Sequence, residues 1–135
     1  MKHTKLLIFG DGGSRGNPGP AASGFVITHQ GKVLEQGGKF LGHTTNNQAE
    51  YQAVVLALQA AKKFEPGEIE FHLDSLLVVS QLNGVYKMKN QDLKVHFDAI
   101  KQLVAEFPKV TFTHVRREYN KLADAEVNRI LDEQT

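Results

Sequence analysis

The chain has no cysteine and no tryptophan among its 135 residues, and it has no long hydrophobic run. The missing cysteines exclude disulfide frameworks, zinc–thiolate sites and cysteine nucleophiles, and they favour an intracellular location. The longest early apolar run, residues 6–9, is far shorter than a signal-peptide core or a membrane span. We therefore expect a cytoplasmic protein with no membrane partner.

The chain also lacks a dominant charge, because 16 Lys and Arg residues balance 15 Asp and Glu residues to give a net charge of +1. This balance excludes a histone-like, wholly basic nucleic-acid binder. Hydrophobic residues form 41% of the chain, which is enough for one sizeable core. Since 135 residues fit a single domain, we expect one domain over residues 1–135 and a monomer.

Hydrophobic periodicity and turn residues predict five strands and four helices. The strands are expected at residues 6–9, 24–28, 33–41, 68–73 and 110–113, and the helices at 49–64, 75–82, 93–107 and 121–132. The Gly- and Pro-rich stretch at 11–20 predicts a turn-rich loop. This order indicates an α/β fold (α+β mixed), with three antiparallel strands followed by alternating helices and strands in one mixed sheet flanked by helices.

Two acids follow predicted strands, which is where sites gather in α/β folds. Asp11 comes after the first strand, and Asp74 comes directly after the fourth. Aspartate is also common in turns, and Asp74 can equally cap the helix that begins near Ser75. Position alone leaves both interpretations open for each residue.

Two further acids begin apolar helix faces. Glu50 is followed at helical spacing by apolar residues only, namely Ala53, Val54, Ala57, Leu58 and Ala61. Asp124 likewise precedes Val127 and Leu131 on one face of the last helix. An acid in the first turn that favours the helix dipole explains these positions almost as well as a functional role does.

Carboxylates that meet at the ends of such elements repel one another and stay ionised only beside a cation, so their meeting would imply a hard divalent metal such as Mg²⁺. Carboxylate sites with two metal ions suit in-line phosphoryl chemistry, in which one ion activates water and the other stabilises the leaving oxygen. Spacing alone does not show that the four acids meet.

Four strings occur in order along the chain: DGGSRGNPGP at 11–20, TTNNQAE at 44–50, LDS at 73–75 and NKLAD at 120–124. Together they closely resemble type 1 ribonuclease H, over about residues 6–131. The resemblance implies a ribonuclease H-like fold with a five-stranded mixed sheet. It also implies hydrolysis of the RNA strand of RNA/DNA hybrids with two Mg²⁺ or Mn²⁺ ions, which gives 5′-phosphate and 3′-hydroxyl ends.

The resemblance assigns roles to the four acids. Asp11 would bridge both metal ions, and Asp124 would complete the site that activates water. Glu50 and Asp74 would hold the ion nearer the leaving 3′-oxygen.

The resemblance also implies substrate contacts. These residues match positions that touch backbone phosphate and the minor groove, where a 2′-hydroxyl distinguishes RNA from DNA: Gly12, Asn17, Thr45, Asn46, Asn47 and Ser75. Such contacts read shape and sugar, so binding should be independent of sequence. Loop geometry and helix capping offer an alternative explanation for these small polar residues.

The chain departs from the family pattern before its last acid. Many members have a catalytic histidine in a flexible loop there, whereas residues 115–120 read VRREYN. This stretch resembles the shorter version of archaeal and some bacterial members, in which Arg117 could assist proton or product handling. His114 is too early for the histidine position, and we interpret it as a strand-end residue.

A second departure lies between residues 84 and 93, where well-known bacterial members insert a basic helix and loop that grips the hybrid. Only Lys87 and Lys89 are basic there. Fewer phosphate contacts predict lower affinity and a flatter salt dependence, and an undiminished salt slope in a binding titration would contradict this. Leu76 also replaces a polar residue common in the family.

The sequence is compatible with two alternatives to a ribonuclease H. The missing histidine and basic segment are compatible with a low-turnover module that binds hybrids or structured RNA, although all four acids are present. If the reduced grip loosens selectivity, double-stranded RNA becomes a second partner. A nucleotide-binding or phosphatase domain is disfavoured, because residues 10–19 match neither G-x-G-x-x-G nor G-x-x-x-x-G-K.

Overall fold

The structure is a computed structural model and describes residues 4–134, so the expected domain limits, residues 1 and 135, lie outside the described residues. The strands are β1 (Lys5–Ser14), β2 (Gly19–His29), β3 (Lys32–Thr44), β4 (Glu68–Leu73) and β5 (Val110–His114). The helices are α1 (Asn46–Ala61), α2 (Leu76–Leu82), α3 (Gln91–Val104) and α4 (Lys121–Asp132). Short 3₁₀ turns occupy Lys62–Phe64 and Arg117–Tyr119.

The five strands form one sheet in the order β3-β2-β1-β4-β5. The pairs β1–β2 and β2–β3 are antiparallel, whereas β1–β4 and β4–β5 are parallel. This confirms the predicted mixed sheet. The β1–β4 ladder ends where Phe9 pairs with His72, but β1 continues beside β2 as far as Ser14. The sheet therefore splits between β1 and β4 just after Phe9.

The first two strands are longer than predicted, and the expected loop at 11–20 was mostly wrong. Residues 11–14 continue β1 and pair with β2, so the connection between the two strands is residues 15–18. Glycines weaken the sequence signal for a strand, yet Gly12 and Gly13 pair through their backbones with Ser23 and Ala22. Strand pairing overrides the local preference for a turn here.

Helix α1 begins three residues earlier than predicted. Thr45 is its N-cap, and its Oγ1 accepts a hydrogen bond of 3.2 Å from the backbone N–H of Gln48. The predicted last turn is the 3₁₀ segment Lys62–Phe64. Helices α2 and α4 match their predicted ranges, and Ser75 caps α2 by accepting from the N–H of Val78.

The main core lies between one face of the sheet and helices α1 and α3. Strand β4 alternates as predicted, with Ile69, Phe71 and Leu73 fully buried in this core. Helix α4 covers the other face of β1, β2 and β3. A smaller cluster forms there around Ala22, Val127, Ile130 and Leu131. Glu50 on α1 and Asp124 on α4 therefore lie in helices on opposite faces of the sheet.

No helix within residues 4–134 combines the length and the apolar character needed to cross a lipid bilayer.

Candidate active site

Asp11 and Asp74 meet at the split in the sheet. Asp74 directly follows β4, as predicted. Asp11 was expected to follow β1 but lies inside it, paired with Gly24 of β2 and two residues past the end of the β1–β4 ladder. Asp11 is buried and Asp74 is half-buried. The acid on β1 therefore stands in the gap that opens beyond β4.

Glu50 reaches the same gap from α1. It is buried and is the fifth residue of the helix, so the explanation that it is a first-turn acid was wrong: the first turn of α1 contains no acid. The Ser23 hydroxyl of β2 donates a 2.6 Å hydrogen bond to the carbonyl of Ala49 and fixes the helix on the sheet. A Cβ on Gly12 would overlap the backbone of Ala49 and Glu50. The missing side chain of Gly12 thus lets α1 bring Glu50 against Asp11.

Substituting Gly12 tests this close approach. We expect Gly12→Ala to destabilise the protein by about 1–3 kcal/mol, because an added methyl group must displace helix backbone. The same displacement should slow any reaction at the site by roughly a hundredfold, because moving a reacting group by about 1 Å can lower the rate by that factor. Urea unfolding and a turnover assay measure both effects.

Gly13→Ala is the matched control for this prediction. A Cβ there would meet Val127 Cγ1 at 3.5 Å, an ordinary van der Waals contact. If both variants unfold at the same urea concentration, the close approach at Gly12 is not what positions α1.

Three of the four acids form a compact group. Asp11, Glu50 and Asp74 each offer one carboxylate oxygen, and these oxygens all lie within 4.8 Å of one another. Asp124, in the first turn of α4, is half-buried and lines the same cleft but is not part of this close group. The structure therefore brings together all four predicted acids, three of them within reach of one cation.

Two of the acids, Asp11 and Glu50, have raised pKa values. Burial, followed by the charges of Asp74 and Asp124, raises the pKa of Asp11 to about 7. Burial, followed by the charges of Asp11 and Asp74, raises the pKa of Glu50 well above its ordinary value. The backbone N–H of Gly12 opposes both shifts. The group is thus held ionised at neutral pH only against a strong electrostatic cost.

The arrangement fits a divalent cation. Glu50 Oε2 is buried and has no hydrogen-bond partner among residues 4–134, although a buried carboxylate oxygen normally has one. Oxygen donors of this kind are the ligands that Mg²⁺ and Mn²⁺ prefer, and a cation would satisfy this oxygen and offset the repulsion. The acidic group can therefore hold a metal ion.

The acids line an open cleft of about 450 Å³. Five residues predicted to assist or to contact substrate also line it: Gly12, Asn46, Asn47, Ser75 and Arg117. The other two, Asn17 and Thr45, lie with Asn47 in a second pocket of about 290 Å³ between the N-terminal ends of α1 and α3. The predicted residues thus follow one continuous path that passes through Asn47.

Two of these asparagines also have structural roles. Asn17 Oδ1 accepts a 3.0 Å hydrogen bond from the backbone N–H of Asn46. Asn46 Oδ1 accepts from both the backbone N–H (2.8 Å) and the hydroxyl (3.1 Å) of Ser14. The alternative of loop geometry is therefore correct for the carbonyl oxygens. The Nδ2 amide groups are the donors that these side chains can offer to a ligand.

Sequence reasoning assigned no role to several residues at the cleft. Arg15 and Asn128 line it, and Arg15 forms an ion pair of 2.6 Å with Asp132. Asn120 is fully buried and donates a hydrogen bond to Asp74, although asparagine directly before a helix is typical of an N-cap. No signal in the sequence separates an inward-facing asparagine from a capping one.

His114 ends β5 and is exposed, as expected of a strand-end residue.

Comparisons with known proteins agree with this geometry. The chain matches the family described as reverse transcriptase-like over residues 9–130. Ribonuclease HI of Halobacterium salinarum is 44% identical over 130 residues, which are 96% of this chain and 65% of that relative. The crystal structure of RNase H1 from the same organism superimposes with a TM-score of 0.91 at 42% identity, covering 96% of this chain and 98% of that one. The chain belongs to the type 1 ribonuclease H family.

A second type 1 ribonuclease H, LC11-RNase H1, was solved in complex with an RNA/DNA hybrid. It has a TM-score of 0.91 and 41% identity to this chain, with 96% of this chain and 98% of that chain covered. The fold predicted from the four strings is thereby confirmed. The chain spans 65% of the length of the Halobacterium relative.

Proposed function

We propose that this chain is an endoribonuclease that hydrolyses the RNA strand of RNA/DNA hybrids and leaves 5′-phosphate and 3′-hydroxyl ends. The observation that supports this best is the group of Asp11, Glu50 and Asp74 oxygens within 4.8 Å in an open cleft. Membership of the type 1 ribonuclease H family and the likeness to a hybrid-bound member point to the same substrate.

Asp11 has all three other acids as neighbours in the cleft. One of its oxygens lies within 4.8 Å of oxygens of Glu50 and Asp74, and the charge of Asp124 also raises its pKa. These neighbours support the proposal that Asp11 is the ligand shared by two metal ions. We propose that the four carboxylates hold two Mg²⁺ or Mn²⁺ ions, which supply activation of the attacking water and stabilisation of the leaving 3′-oxygen.

Substrate binding would follow the path of small polar residues. The Nδ2 amides of Asn17 and Asn46 sit on side chains whose oxygens are already fixed, so these donors are oriented before a phosphate arrives. Thr45, Asn47, Ser75 and the backbone of Gly12 complete the proposed contacts with phosphate and with the 2′-hydroxyl. This orientation reduces the entropy that the side chains lose when substrate binds.

Arg117 is proposed as an auxiliary residue. It is exposed, begins the 3₁₀ turn Arg117–Tyr119 and lines the cleft, where a guanidinium can assist proton or product handling. It stands in the loop that precedes α4 and Asp124. The absence of a histidine from that loop is what keeps the low-turnover binding module as the second candidate.

Cleavage of a labelled RNA/DNA hybrid tests the proposal, with double-stranded RNA alongside and with Mg²⁺ and Mn²⁺ compared. We expect the RNA strand of the hybrid to be cut in either metal and to carry 5′-phosphate ends. Binding of the hybrid without cleavage in either metal would instead establish the recognition module. If the protein neither binds nor cleaves the hybrid, the proposed function is wrong and the likeness to ribonuclease H is limited to the fold.

Other expectations from the sequence stay predictions. These are the single domain, the monomer, the cytoplasmic location and the low affinity. Lys87 and Lys89 are both exposed and free to contact phosphate, so the salt dependence of hybrid binding reports on how much of the grip they supply.

A further inference from the structure

Asn120 connects the segments that bear three of the four acids. Its Nδ2 amide donates to the carbonyl of Gly10 at 2.9 Å and to Asp74 Oδ2 at 3.1 Å. Its backbone carbonyl accepts from the N–H of Asp124 at 3.1 Å. Gly10 precedes Asp11 on β1. One residue thus touches β1, the end of β4 and the first turn of α4.

The side chain of Asn120 is not used as a helix cap. Asparagine before a helix usually accepts a hydrogen bond from a free N–H of the first turn, but the Asn120 side chain makes no such bond to α4. It turns inward instead and is fully buried. The Asn120 side chain therefore makes hydrogen bonds inside the site and does not cap α4.

The orientation of the Asn120 amide is unambiguous. Both of its neighbours, the Gly10 carbonyl and the Asp74 carboxylate, are acceptors, so the NH₂ group must face them. The other end, Oδ1, is buried without a partner among residues 4–134. A buried unpaired oxygen is costly, so the two donated hydrogen bonds determine the position of this side chain.

The need for this donor follows from the split in the sheet. Gly10 is the first residue of β1 beyond the ladder with β4, and Asn120 supplies a partner for its carbonyl. The same amide reaches across the split to Asp74, which has just left β4. The contact thereby ties the two strands together where their backbones no longer pair.

We propose that Asn120 is a positioning residue that holds the Asp74 carboxylate toward Asp11 and Glu50 and sets the start of α4 for Asp124. The inference rests on the proposed function of the site. Groups that orient metal ligands typically change metal affinity or activity by about 10- to 100-fold when they are removed.

Two substitutions distinguish a role of Asn120 as a hydrogen-bond donor from a role in packing alone. Asn120→Ala removes both the donor and most of the side chain, whereas Asn120→Leu keeps a side chain branched at Cγ without a donor. We expect both variants to bind Mn²⁺ about 10- to 100-fold more weakly in the absence of substrate, measured by electron paramagnetic resonance titration. On hybrid substrate, kcat should fall by a similar factor with KM within about twofold of wild type.

Thr28→Val is the matched control. Thr28 is buried, and its hydroxyl donates a 2.8 Å hydrogen bond to the carbonyl of Leu7, also on β1 but away from the cleft. This variant loses a similar buried contact, so we expect a lower melting temperature with unchanged Mn²⁺ affinity and kcat.

Three results would overturn the role of Asn120. One is Mn²⁺ affinity in Asn120→Leu equal to that of wild type, which would make Asn120 a space filler. Another is an equal loss of affinity in Thr28→Val at a similar drop in melting temperature. The third is a wild type that does not bind Mn²⁺. A wild type that binds Mn²⁺ but does not cleave hybrids would refute only the proposed function, because the affinity comparison needs no substrate.

Discussion

Asp11→Asn is expected to lower hybrid cleavage by roughly a thousandfold or more, since metal-assisted stabilisation of phosphoryl transfer is worth several kcal/mol. Asp11 is the proposed shared ligand of both metal ions and is a neighbour of all three other acids, so its loss affects both proposed metal sites. Hybrid binding should persist, because most of the proposed phosphate and sugar contacts lie at the N-terminal ends of α1 and α2 and in the β1–β2 connection, and the Gly12 contact is made by its backbone. Single-turnover cleavage and a binding titration separate the two effects.

The same variant should be more stable than wild type in metal-free buffer at pH 8. The raised pKa of Asp11 means that its charged form is unfavourable in the folded protein, and asparagine removes that charge with little change of shape. Thermal unfolding with a chelator measures the gain. Asp98→Asn is the control, because Asp98 is an exposed partner of Lys94 on α3 and its loss should give no gain in stability.

Substantial cleavage by Asp11→Asn would refute the assignment of this acid as a bridging metal ligand.

The metal-free protein should lose stability as pH rises from about 4 to beyond 7. Asp11 and Glu50 both have pKa values raised by folding, so in this range the folded state holds protons that the unfolded chain has released. Unfolding then releases protons, and the free energy of unfolding falls with increasing pH. With the pKa of Asp11 near 7, the loss from this group is on the order of 4 kcal/mol, at about 1.4 kcal/mol for each pKa unit.

Divalent metal should reverse this trend. A cation neutralises the ionised group, so the rise in melting temperature on adding Mg²⁺ should be larger at pH 8 than at pH 5, where protons compete for the carboxylates. Thermal scans over this pH range, with and without Mg²⁺, measure the difference. Asp11→Asn should show a flatter pH profile. An equal effect of Mg²⁺ at both pH values would show that the acids are not its site.

Local patterns were enough to predict most of the secondary structure. Alternation along β4 and helical spacing in α4 each depend on burial of one face, and both matched the structure. The helix signals around Ser75 were also correct. The predictions failed where backbone pairing acts against residue preference. Residues 11–14 form a strand although two of them are glycines, because β2 supplies their hydrogen bonds.

The fold and the four acids were thus determined by the sequence itself, through hydrophobic periodicity and through strings specific enough to identify the ribonuclease H family. Tertiary structure alone decided how these acids meet. Asp11 and Glu50 are 39 positions apart, and their contact requires the missing side chain of Gly12 and the hydrogen bond from Ser23. The inward turn of Asn120 depends on the split between β1 and β4. These are long-range contacts that depend on backbone packing, and no local pattern of residues encodes them.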